Sequence, residues 1–90
     1  MVIVETPIFT KRIQELISDD EYRLFQTHLV NRPDVGKIIP GSGGLRKLRW
    51  STGGHGKRGG IRSIYYWFVS QDIILLLYAY PKSGSCPADS

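Results

Sequence analysis

Between Gly36 and Gln71 the chain carries seven positive side chains and no negative one: Lys37, Arg46, Lys47, Arg49, Lys57, Arg58 and Arg62. Six of them fall within seventeen residues, interleaved with glycines and followed by Tyr65, Tyr66 and Trp67. Cations crowded on a small surface attract polyanions, and release of condensed counterions drives that binding. A guanidinium stays charged and grips a phosphate through two parallel hydrogen bonds. The glycines of Gly56-Lys57-Arg58-Gly59-Gly60 let backbone approach a phosphate closely. The chemistry indicated is phosphate binding, with nucleic acid as the first candidate partner. Taken singly, each of these side chains is an ordinary solubilising charge, and the glycines also serve as hairpin punctuation. The G-x-x-x-x-G-K-[ST] spacing of a nucleotide-binding phosphate loop is absent.

The rest of the sequence must position these side chains. Val2-Ile3-Val4 reads as a short strand. Thr6 as N-cap, Pro7 at the first helical position, and Phe9, Ile13, Leu16 and Ile17 at helical spacing give a first helix near 7–17. Ser18 with Glu21 is a capping-box pattern that opens a second helix over about 19–31. Its apolar face is Tyr22, Phe25 and Leu29, and Pro33 ends it. Residues 34–44 read as a loop. A strand follows over 45–50, with Leu45, Lys47 and Arg49 on one side and Arg46, Leu48 and Trp50 on the other. Residues 51–60 hold five glycines and read as a connection. Strands over 61–69 and 72–80, joined at Ser70-Gln71, complete a β-α-α-β-β-β order. The expected fold is α+β: an antiparallel sheet with a helical pair on one face, the other face presenting Lys47, Arg49 and Arg62. Residues 83–90 read as a disordered tail.

Composition sets the class. Ninety residues, 41% of them hydrophobic, suit one small core. The net charge of +4 is uneven, since residues 1–34 carry six acids against four bases. One cysteine, Cys86, excludes an intrachain disulfide and fits a reducing cytoplasm. No signal-peptide pattern opens the sequence, and its longest apolar run, Ile73 to Leu77, is too short to span a bilayer. The two histidines and the cysteine are scattered, so neither a metal site nor another cofactor is expected. Of the aromatic residues, alternation sends about half of Tyr65, Tyr66, Trp67 and Trp50 to the core. Tyr80 is the best candidate for stacking on a base.

Three segments together resemble a known family: Gly41-Ser42-Gly43-Gly44-Leu45-Arg46-Lys47-Leu48-Arg49, Gly56-Lys57-Arg58-Gly59-Gly60-Ile61-Arg62-Ser63-Ile64-Tyr65-Tyr66, and Leu77-Tyr78-Ala79-Tyr80-Pro81-Lys82. They are similar to the HigB-type branch of the RelE toxin superfamily, and the resemblance covers residues 1–82. It implies a RelE-like, microbial-RNase-type domain that cuts messenger RNA on the ribosome, inhibits translation, and is neutralised by a cognate, HigA-like antitoxin. It also implies site residues. Lys47 and Arg49 stand where the family has basic strand residues, and Arg62 stands at its catalytic arginine. Lys57 and Arg58 match the RNA-gripping loop, and Lys82 the basic residues after the last strand. Arg46, His55 and Tyr80 join the RNA-binding set.

Cleavage through the 2′-hydroxyl needs a base, a cation for the phosphorane and an acid for the leaving 5′-oxygen. Arg62 is the charge stabiliser, Lys47 the candidate base, and Lys82 or His55 the candidate acid. The family's further helix after the last strand has no counterpart in 83–90. Its absence would uncover apolar sheet surface for an antitoxin or a second copy. Two other readings stay open: a truncated or non-catalytic RNA- or ribosome-binding module, and an interaction domain whose basic face docks an acidic protein.

Overall fold

Residues 1–50 and 60–81 are described by the computed structural model. The chain runs β1 (Val2–Glu5), α1 (Pro7–Leu16), α2 (Asp19–Asn31), β2 (Lys37–Ile38), β3 (Arg46–Trp50), β4 (Ile61–Phe68) and β5 (Ile73–Pro81), with a 3-10 turn at Val69–Gln71. Both helices start where their caps dictate. The Thr6 hydroxyl accepts from the Phe9 N–H at 3.2 Å, and the Ser18 hydroxyl accepts from the Glu21 N–H at 3.2 Å. Asp19, Asp20 and Glu21 place negative charge in the first turn of α2, where the helix dipole favours it. Phe9 and Ile13 of α1 and Phe25 and Leu29 of α2 are buried against the sheet.

The strands are ordered β1-β5-β4-β3-β2. The four strands β2 to β5 form antiparallel pairs, whereas β1 lies parallel to β5, with Val2 opposite Ile73 and Glu5 opposite Leu76. The sheet is therefore mixed rather than wholly antiparallel. Periodicity identifies a strand but carries no information on its direction against a partner seventy residues away. The two-residue β2 falls in what reads as loop, because so short a strand leaves no alternation to detect. The core joins the four helical residues to Leu48, Ile61, Tyr65, Ile74, Leu76 and Ala79.

A register shift between Ile64 and Tyr65 decides what the opposite face displays. Tyr65 faces Leu76 and its neighbour Ile64 faces Tyr78, so Leu77 is the extra residue of a bulge. The Leu77 carbonyl accepts the Thr6 hydroxyl at 3.1 Å, which ties the bulge to the cap of α1. In a regular strand Tyr78 and Tyr80 would share the core face with Ile74 and Leu76. The bulge reverses the alternation. Ala79 turns into the core, and Tyr78 and Tyr80 turn to the open face.

Candidate nucleic-acid interface

The open face is built rung by rung, since residues directly opposite in an antiparallel pair share a face. One rung is Arg49 of β3, Arg62 of β4 and Tyr80 of β5. The next is Lys37 of β2, Lys47 of β3, Ile64 of β4 and Tyr78 of β5. Lys37, Lys47 and Arg49 are exposed, Arg62 is half-buried, and Tyr80 is buried. Two like-charged pairs, Lys37 with Lys47 and Arg49 with Arg62, thus lie side by side, with Cβ atoms about 4.5–5.5 Å apart within a pair. Like charges directly opposite destabilise a sheet. An anion seated between them converts that repulsion into attraction.

No strand residue on this face is acidic. Glu5, the single acid in the described strands, points to the helices, where its carboxylate accepts from the Thr10 and Tyr22 hydroxyls. Below the basic rungs the face becomes aromatic and aliphatic. Tyr66 and Phe68 meet edge to face at 4.5 Å, and Val2 and Val4 are exposed beside them. Gly44 is required at the entry to β3. Its φ is +115°, and a Cβ there would lie 2.8 Å from the Tyr66 ring.

The structure brings Lys47, Arg49, Arg62 and Tyr80 onto one face and sets Arg46 apart. Arg46 alternates to the helix side, as its companions Leu48 and Trp50 do. Its Nη1 donates to the Asp34 carbonyl at 3.2 Å and the Gly36 carbonyl at 2.8 Å, and its guanidinium sits 6.0 Å from the centre of the Trp67 ring. It organises the loop between α2 and β2 and does not face the basic rungs. Trp50 packs on Phe25 at 5.6 Å and His28 at 5.4 Å, so it belongs to the core side. Tyr65 is fully buried; its hydroxyl donates to the Pro33 carbonyl at 2.7 Å and accepts from the Gly36 N–H at 2.9 Å. Burial raises the pKa of that hydroxyl. His55, Lys57, Arg58 and Lys82, with the tail 83–90, lie outside the described residues. Sequence reasoning counted Lys37 among the cations without placing it at the site. Its pairing with Lys47 is the missing fact.

The arrangement can hold a phosphate between Arg49 and Arg62, with Lys47 one rung away and an aromatic surface alongside. Among the described residues no helix is long and apolar enough to cross a membrane.

No family model matches the sequence. The fold is that of the E. coli toxin RelE. A mutant of that toxin in the free state is matched with a TM-score of 0.68 and 11% identity, over 93% of this chain and 85% of that one. A chain of the intact E. coli RelBE toxin-antitoxin complex is matched with a TM-score of 0.66 and 14% identity, over 93% of this chain and 98% of that one. At such identities the likeness is one of fold.

Proposed function

We propose that this chain is a toxin of the RelE superfamily, of the HigB-type branch, with a catalytic domain over residues 1–82. It acts in the cytoplasm as a ribosome-dependent endoribonuclease that cleaves messenger RNA. The observation that carries the proposal is the two like-charged cross-strand pairs, Lys37 with Lys47 and Arg49 with Arg62, on a face to which no described strand residue contributes an acid. The shared fold of a toxin supports it.

In this reading the scissile phosphate lies between Arg49 and Arg62. Lys47 takes the proton of the 2′-hydroxyl, whose oxygen attacks the adjacent phosphorus. The two guanidiniums stabilise the charge that builds on the phosphorane, and no metal ion takes part. The bond to the 5′-oxygen breaks, that oxygen takes a proton from Lys82 or His55, and a 2′,3′-cyclic phosphate remains. Lys57 and Arg58 grip the flanking RNA or ribosomal RNA, and Tyr80 orients a base. A cognate antitoxin covers the toxin when it is silent, as a complex of the same fold with its antitoxin suggests.

The test is Arg62→Ala in a reconstituted translation reaction. Loss of an electrostatic stabiliser of this kind costs about 10²–10³-fold in rate. The expected result is that loss, with an unchanged circular dichroism spectrum and a melting temperature no lower than that of the wild type, since one member of a like-charged pair is removed. Cleavage at the wild-type rate would remove Arg62 from the mechanism. Ribosome binding without any cutting by the wild-type chain would establish the non-catalytic module instead.

A further inference from the structure

The rung of Lys37, Lys47, Ile64 and Tyr78 does not end at β5. Among the described residues β1 pairs with β5 only as far as Leu76, which leaves the edge beside Tyr78 without a neighbouring strand. There the Arg12 guanidinium of α1 stands 5.8 Å from the centre of the Tyr78 ring. Its Nη1 is 3.5 Å from Glu15 in a half-exposed i,i+3 pair, and helix-surface pairs of that spacing contribute little. Its Nε is buried with no hydrogen-bond partner among the described residues. The opposite end is fixed more firmly. Arg46 and Tyr65 pin the carbonyls and N–H of the 33–36 loop, and Lys37 follows directly as the first residue of β2.

We infer that a single-stranded RNA crosses the open face at right angles to the strands, with Lys37 and Arg12 holding its phosphates at the two ends. Three strand spacings of about 4.8 Å separate β2 from β5, so the track is about 14 Å wide before the side chains extend it. Its ends are cationic, and its middle is the side chain of Ile64 and the half-buried ring of Tyr78, which is backed by the buried Tyr80 ring 6.1 Å away and 30° from parallel. Cations flanking an aromatic platform match alternating phosphates and bases, which stack on such rings. An acidic peptide would use the ends and leave the platform idle. This inference rests on the RNA reading of the face, and it adds two contacts, Lys37 and Arg12, beyond the residues assigned to catalysis.

The experiment is fluorescence anisotropy of a labelled oligouridine with the full chain, from low to moderate salt. It compares wild type with Lys37→Ala, Arg12→Gln, the double variant, and Arg23→Ala as a charge-matched control on an exposed site of α2. Arg12→Gln keeps the stem and removes the charge; melting temperatures are recorded for all. For single strands each lost phosphate contact reduces the slope of log K against log salt by about 0.7. The expected result is a slope reduced by about 0.7 in each single variant and about 1.4 in the double, with Arg23→Ala unchanged. Slopes of Lys37→Ala and Arg12→Gln equal to that of Arg23→Ala, with wild type binding, would overturn the track. So would displacement of the RNA by polyglutamate at equal charge concentration, or no binding by wild type. Message cleavage on ribosomes is scored separately, so failure of the track leaves the toxin reading to its own test.

Discussion

Removing one oxygen, by Tyr65→Phe, tests how the fold holds its basic face in place. The Tyr65 hydroxyl makes two bonds to a loop twenty-nine to thirty-two residues away, to the Gly36 N–H and the Pro33 carbonyl. The contact is tight: a Cβ at Gly36 would lie 2.8 Å from both Cε1 and the hydroxyl oxygen of Tyr65. Phenylalanine fills the same space but leaves both backbone groups unmet. An unsatisfied buried group costs about 1–3 kcal/mol. The Gly36 N–H carries that full penalty, and the better-solvated Pro33 carbonyl adds about 1 kcal/mol, for a total of about 2–4 kcal/mol. In a domain of this size 1 kcal/mol shifts the melting temperature by about 4–8 °C, so a fall of about 8–32 °C is expected. Urea unfolding should show a lower midpoint at unchanged slope. Arg46 binds the same loop, so a double-mutant cycle with Arg46→Ala should return a coupling energy above about 0.5 kcal/mol. A loss below about 0.5 kcal/mol for Tyr65→Phe, or strict additivity with Arg46→Ala, would refute the argument that these two side chains jointly fix the approach to Lys37.

Two further outcomes follow from buried groups. Burial raises the pKa of the Tyr65 and Tyr22 hydroxyls above the ordinary tyrosine value of 10.0, and in Tyr22 the hydrogen bond to the Glu5 carboxylate adds to it. A folded-state pKa above the unfolded one gives stability that is complete below about pH 10 and is lost as pH rises from there. Chemical denaturation from pH 8 to 11 should show a plateau and then a decline, less steep in Tyr22→Phe; a profile still flat at pH 11 would contradict it. Ser63 is fully buried and its hydroxyl has no hydrogen-bond partner among the described residues, so Ser63→Ala should be neutral or stabilising by about 1 kcal/mol, and a clear loss on urea unfolding would contradict that.

Much of this fold is legible in the residues themselves. Thr6 with Pro7, and Ser18 with Glu21, mark the helix starts, and the alternation of β3 assigns Lys47 and Arg49 to one face and Leu48 to the other. The same alternation assigns Arg46 to the helix side. Its membership of a basic cluster is a property of the sequence string, not of the surface. Tyr80 is legible as a candidate only by its place next to the expected site. What puts it and Tyr78 on the open face is the bulge at Leu77, a slip of one residue that no pattern within β5 announces. Lys37 escaped for a related reason: cross-strand register joins it to Lys47, and register is a long-range property. The parallel pairing of β1 is long-range in the same sense.

The most direct test of the central claim is primer extension on a message translated in a reconstituted system, with and without ribosomes, after addition of the purified chain. Cuts within the reading frame that appear only with ribosomes are the expected result. An intact message with translation unaffected would contradict it.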